Sequence, residues 1–260
     1  MKVLLVNPYW SYEQSDLPTN LLELAAYIRL EGGHDVRVLD LNFVLLHEKK
    51  LRNPDRVHDA SVRLIMGEKA DLVGITCNTI HVPGVVRLVN SLKEADDRIR
   101  IALGGIHPTL RPMEMMMLCR ADYIVQGEGE TVFVSLLEAI GGAINGNARL
   151  EDVKGIVFRK KDLQRRRESI VQNKPPALIK DLSKLPAPAY DLLPVEKYGK
   201  KPVFIMASRG CGFSCFFCSA NKIWGFQRRL PARKVIEQVR ILKEKGVENI
   251  SFGDDCFTLD

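Results

Sequence analysis

At 260 residues, 46% hydrophobic and 27% charged, the chain has the composition of a soluble globular protein with room for two ordinary domains. The formal net charge of +6 is mild and both signs are interspersed, so anionic small ligands fit it as readily as nucleic acid. The amino terminus, MKVLLVNPYW, is apolar for only four residues before Asn7-Pro8, which is too short for a signal peptide or a membrane span; a cytoplasmic protein without a membrane partner is expected.

Residues 1 to about 142 alternate short aliphatic runs with amphipathic stretches. KVLLV (2–6) predicts a buried strand, and NLLELAAYIRLEGG (20–33) a helix stopped by Gly32-Gly33. DVRVLDL (35–41), DLVGITC (71–77), RIALGG (100–105) and YIVQG (123–127) predict four more strands. Between and after them, VPGVVRLVNSLKEA (82–95), a Met-rich stretch and ETVFVSLLEAI (130–140) predict helices. Five strands alternating with helices imply an α/β, doubly wound parallel sheet of flavodoxin-like or Rossmann-like type. A ligand in such a sheet lies beyond the carboxyl ends of the strands. Those ends read NPYWS (7–11), TCNT (76–79), GGIHPT (104–109) and GEGE (127–130), small and polar enough for backbone to approach a flat or bulky ligand. Any one of these loops alone reads as a tight turn. No G-x-G-x-x-G follows the first strand and no G-x-x-x-x-G-K-[ST] occurs, which disfavours a dinucleotide and a phosphate-cradling NTPase loop.

Residues 143–195 form a hairpin and a Pro-rich connector. GIVFRKKDLQRRRESIV (155–171) predicts two short strands around a basic turn, and NKPPALIKDLSKLPAPAYDLLP (173–194) a strap laid across a surface. The cluster Arg159, Lys160, Lys161, Arg165, Arg166 and Arg167 has no interleaved aromatics, so a solvated tip is the better reading and nucleic acid an unlikely partner. From 196 the pattern restarts. PVFIMAS (202–208) predicts a strand, PARKVIEQVRILKEKG (231–246) a helix and ENISFGDD (248–255) a further strand. This β–loop–α–β run to Asp260 covers about 65 residues, whereas a full β/α barrel takes roughly 250. The expectation is a fragment, with 196–260 the first part of a barrel.

Between the first strand and helix of that unit stands RGCGFSCFFCSA, which spaces Cys211, Cys215 and Cys218 as C-x3-C-x2-C. Three of the six cysteines in one short loop are poor disulfide geometry and read as metal ligands in a reducing compartment. Structural zinc wants four protein ligands; Cys256 could be a fourth, though a plain buried thiol is the simpler reading of it. Three thiolates on a four-iron cluster leave one iron open, as a catalytic site requires.

The motif, with Phe217 before its last cysteine and a strand before its first, resembles the radical S-adenosylmethionine superfamily. The resemblance implies a 4Fe-4S cluster on Cys211, Cys215 and Cys218 whose open iron chelates S-adenosylmethionine, cleaved to a 5′-deoxyadenosyl radical. Phe217 and the run Gly253, Asp254 and Asp255, at the place of a Gly-Gly-Glu-like motif, would then contact S-adenosylmethionine; either Asp could meet its amine. With the first domain (1–142) and the proline strap, the chain is similar to cobalamin-binding radical S-adenosylmethionine enzymes, methyltransferases and an ester cyclase among them. That implies cobalamin held by Asn7, Thr76, Asn78, Gly104, Gly105, His107, Thr109, Gly127, Glu128 and Gly129. No D-x-H-x-x-G occurs, so cobalamin bound without a lower histidine is implied, with His107 a loop anchor or cofactor-edge residue. The expected activity is methyl transfer to an unactivated atom of a small-molecule substrate, with flavodoxin or ferredoxin as electron donor. The alternatives are a cyclase or rearrangement enzyme of the same superfamily, or a cobalamin-binding module without catalysis. A tRNA methylthiotransferase is disfavoured, because only Cys77 and Cys119 lie in the first domain.

Overall fold

The computed structural model describes residues 1–10, 16–47, 54–142, 148–162, 167–198 and 201–259. Five strands, β1 (Lys2–Asn7), β2 (Asp35–Asp40), β3 (Leu72–Thr76), β4 (Ile101–Gly104) and β5 (Tyr123–Val125), run parallel in the order β2-β1-β3-β4-β5. This is the doubly wound order expected from the alternation, with its switch point between β1 and β3. The helices are α1 (Thr19–Gly32), α2 (Leu41–His47), α3 (Pro54–Gly67), α4 (Val82–Ala95), α5 (Ile106–Leu110), α6 (Pro112–Leu118) and α7 (Gly129–Gly141).

Strand geometry sends successive side chains to opposite faces. Leu4, Val6, Val73 and Ile75 enter one core with residues of α2, α3, α4 and α6. Val3, Leu5 and Leu72 enter the other, beneath α1 and α7. Both faces are dry, which is why KVLLV and LVGIT need no polar alternation.

The basic hairpin, β6 (Ile156–Asp162) and β7 (Arg167–Gln172), pairs antiparallel with β5 and extends the sheet to seven strands. It forms the antiparallel edge of that sheet. Arg159 is drawn into the fold: its guanidinium donates to the carbonyls of Met116, Cys119 (2.8 Å) and Ala121 (2.9 Å) and pairs with Glu168 (3.1 Å). That accounts for one of the six basic residues without invoking a polyanion; the tip, with Arg165 and Arg166, lies outside the described residues.

The second unit comprises β8 (Val203–Ile205), β9 (Ser208–Arg209), α8 (Ala220–Trp224), β10 (Arg228–Arg229), α9 (Ala232–Glu244) and β11 (Ile250–Phe252). β8 and β11 are parallel neighbours, as a β/α unit demands, and β9 and β10 form a short antiparallel ladder. A third core joins this unit to the first: Leu22 of α1 packs with Tyr190 and Val195 of the strap, Val203 and Ile205 of β8, and Leu242 of α9. The Thr19 hydroxyl donates to the Phe204 carbonyl (3.0 Å), and Ala189 N–H to the Leu22 carbonyl (3.0 Å). Among the described residues no helix is long and apolar enough to cross a membrane.

Candidate functional site

A cavity of about 380 Å³ opens at the carboxyl ends of β3, β4 and β5, where the second unit leans over the first. That is within the usual size range of small-molecule sites. Thr76, Gly104, Gly105, Gly127, Glu128 and Gly129 line it from the sheet edge. Phe204, Met206, Arg209, Gly210, Trp224 and Asp255 line it from the second unit. Its floor reaches Gly74 and Phe133 in the α1/α7 core.

The flat edge is a consequence of close backbone packing. Gly105 stands at φ +99°, and a Cβ there would lie 3.0 Å from both the Cys77 carbonyl and the Thr76 hydroxyl. Only glycine takes that backbone without strain, so the turn after β4 folds down onto the end of β3 and leaves a side-chain-free shelf. Cys77 N–H donates to the Gly104 carbonyl (2.8 Å) and His107 N–H to the Cys77 carbonyl (3.1 Å), which locks the two loops together.

Four of the residues expected at this edge bond within the protein and do not line the cavity. Asn7 donates to Asp40 (2.9 Å), which also accepts from the Tyr198 hydroxyl (2.9 Å). Asn78 N–H donates to His81 Nδ1 (3.3 Å), and burial pushes the His81 pKa down, which keeps the ring neutral to accept that bond. Thr109 Oγ1 accepts from Gly127 N–H (3.0 Å) and so aligns the GEGE loop. His107 Nδ1 meets Thr79 Oγ1 at 3.3 Å, while its buried Nε2 has no partner among the described residues. Neither Cys77 nor Cys119 has the character of a ligand: both are buried, and desolvation pushes Cys77 up to about 12.

On the other side, the cysteine loop leaves β9 through Gly210 and returns through α8. All three thiols are free; Cys211 is half-buried, and Cys215 and Cys218 are exposed. A turn closes the motif, Cys218 N–H to the Cys215 carbonyl (3.1 Å), and Ala220 N–H points at Cys218 Sγ (3.4 Å). Among the described residues, no three His, Cys, Asp or Glu side chains gather in a way that could hold a single metal ion. A four-iron cluster places one thiolate on each of separate irons, so its ligands need not converge on a point, and a triad of accessible thiols in one loop fits that donor set. Phe216 and Phe217 are 99% and 79% exposed, and Phe217 lies outside the cavity lining.

The two candidate aspartates differ sharply. Asp254 accepts from Ala207 N–H (3.0 Å) and from the Ser208 hydroxyl (2.5 Å), so it braces the stem of the cysteine loop. Asp255 lines the cavity. Gly253 N–H continues the β8–β11 ladder to the Ile205 carbonyl (2.9 Å). Cys256 is half-buried, its carbonyl accepting from Gln227 (2.9 Å).

Sequence reasoning did not anticipate a buried ion network beside the cavity. Glu23, Glu128 and Glu130 of the first domain meet Arg209 and Arg228 of the second unit. Burial, reinforced by Glu130 and Glu128, raises the Glu23 pKa against the pull of Arg209. The local signals are the two glutamates of the GEGE loop and an arginine two residues before the first cysteine of the run, in SRGC.

A B12-binding domain model matches residues 14–137. The chain is 33% identical over 250 residues to an uncharacterized methyltransferase of Pyrococcus horikoshii, covering 94% of this chain and 50% of the relative. It is 29% identical to an anaerobic magnesium-protoporphyrin IX monomethyl ester cyclase of Synechocystis, covering 100% of this chain and 50% of the relative. The chain thus spans about half the length of these curated relatives. Among solved structures, it shares its fold with the cobalamin-dependent S-adenosylmethionine radical enzyme OxsB (TM-score 0.76, 20% identity, 98% of this chain and 34% of that one). The radical S-adenosylmethionine methyltransferase TsrM from Kitasatospora setae matches similarly (TM-score 0.74, 18% identity, 99% and 48%). Residues 14–137 thus match a B12-binding domain, and nearly the whole chain shares the fold of cobalamin-dependent radical S-adenosylmethionine enzymes.

Proposed function

We propose that this chain forms the cofactor-binding part of an enzyme that uses a 4Fe-4S cluster, S-adenosylmethionine and cobalamin for methyl transfer to an unactivated atom of a small-molecule substrate. The observation that carries the reading is the shared cavity, which puts the glycine shelf of the B12-binding domain and the stem of the cysteine loop on opposite walls of one space. The methyltransferase names of the relatives support it.

Cys211, Cys215 and Cys218 would hold the cluster, and Gly104, Gly105, Gly127, Gly129 and Thr76 would take the face of cobalamin. When bound, the cluster supplies an electron to S-adenosylmethionine and cobalamin carries a methyl group. Asp255 offers an anionic oxygen to the amine of S-adenosylmethionine, while Asp254 is committed to the loop stem. Phe133, Phe204, Met206 and Trp224 keep the cavity wall apolar and exclude water from it. The exposed face of the cysteine loop, with Phe216, is where a flavodoxin- or ferredoxin-like donor would approach. A cyclase reading shares this geometry and is favoured by the Synechocystis relative, which matches the chain from end to end.

Electron paramagnetic resonance on protein reconstituted anaerobically with iron and sulfide tests the assignment. A reduced four-iron signal should change shape on addition of S-adenosylmethionine. Asp255→Asn should keep the signal and raise the S-adenosylmethionine concentration needed by about tenfold or more, the worth of one charge-assisted hydrogen bond. Stoichiometric zinc with no cluster would sink the reading.

A further inference from the structure

Arg209 stands two residues before Cys211, at the end of β9 where the cysteine loop begins. Its guanidinium, 8% exposed, reaches three carboxylates of the first domain: Glu23 on α1 (3.0 Å), Glu128 in the loop after β5 (3.1 Å) and Glu130 in the first turn of α7 (2.5 Å). These partners lie 186, 81 and 79 positions away in sequence. Directly across the β9–β10 ladder is Arg228, which holds both oxygens of Glu128 at 2.9 and 2.8 Å. Two like charges facing each other on a ladder repel unless an anion sits between them, and Glu128 is that anion. Arg209, Glu23, Glu128 and Glu130 all line the cavity as well. One side chain therefore forms part of the cavity wall and anchors the root of the cysteine loop.

We propose that Arg209 is the positioning residue of the cysteine loop: through Glu23 and Glu130 it sets where the loop stands against the cavity, and it couples the filling of the cavity to the order of the loop. A planar guanidinium with several donors can hold three carboxylates at once, which an ammonium cannot do with the same geometry. The positioning stands on the ion network alone, whereas the coupling to cobalamin rests on the reading of the cavity given above.

Hydrogen exchange read by mass spectrometry on the cluster-reconstituted chain tests both parts separately. In Arg209→Lys and Glu130→Gln, exchange over 208–213 should rise about tenfold, the loss of roughly one charged hydrogen bond, while 2–7 and 72–76 stay protected. The reduced cluster's paramagnetic line shape should shift in both variants. Unchanged exchange at 208–213, or an equal rise across β1 and β3, would overturn the proposal. Hydroxocobalamin added to the unsubstituted chain should slow exchange at 127–131 and at 208–213 together, and in Glu130→Gln at 127–131 alone. Protection of 127–131 without 208–213 in the unsubstituted chain would overturn the coupling. Protection of neither would overturn the cavity reading and the coupling with it, leaving the positioning to be decided by the variants.

Discussion

Glu128→Ala should lower the unfolding free energy by about 3–5 kcal/mol, the cost of removing one partner from a buried charge pair. The Glu128 side chain is 1% exposed, and both arginines that bind it are nearly as buried, Arg228 at 2%. Its two oxygens accept from Arg209, from Arg228 and from Ile179 N–H of the strap (2.7 Å). Alanine would leave two guanidiniums facing each other across the β9–β10 ladder with a vacated space between them. Urea denaturation followed by circular dichroism checks this through a lower midpoint. A midpoint within experimental error of the unsubstituted chain would show that the network adds little.

Glu23 is the contrasting case in the same network. Its folded-state pKa is raised, so at neutral pH the ionised carboxylate works against the fold, and stability from this group grows as pH falls through the raised value. Glu23→Gln should therefore leave the midpoint unchanged or slightly higher at pH 7, within about 1 kcal/mol. A loss comparable to that of Glu128→Ala would show that its pull on Arg209 outweighs desolvation.

Gly210→Ala should be the most damaging single-methyl change near the cysteines, at about 2–4 kcal/mol from backbone strain and overpacking together. Gly210 sits at φ +85°, and a Cβ there would come within 2.7 Å of the Phe226 carbonyl oxygen, which is backbone and cannot rotate away. The chain must pass close to Phe226 here because β9 and β10 are paired on either side of the loop. Relief of the clash moves Cys211, so iron content after reconstitution should fall as well. Gly212→Ala is the matched control: its Cβ would meet only the flexible end of Leu259, and the cost should stay under about 1 kcal/mol. Equal effects of the two substitutions would refute the argument.

Much of this protein is written in short-range patterns. KVLLV and LVGIT identify buried parallel strands by themselves, because a strand covered on both faces must be aliphatic at every position. C-x3-C-x2-C is likewise local, since its chemistry depends on three thiols within one loop. The role of each loop residue at the sheet edge could not be read that way. Asn7, Asn78, His107 and Thr109 share the small polar character of Thr76, Gly104 and Gly105, yet the first four bond into the protein while the others face the cavity. Asp254 and Asp255 are adjacent and chemically identical, and only the path of the chain after β11 assigns one to Ser208 and the other to the cavity. The basic hairpin offered charge without context, and Arg159 became an internal tie once β6 paired with β5. Glu23, Glu128, Glu130, Arg209 and Arg228 are ordinary surface types in sequence, scattered over some two hundred positions. A buried ion network exists only when folding brings its members together and removes their water, so its partners are set by topology and leave no periodic trace in the chain.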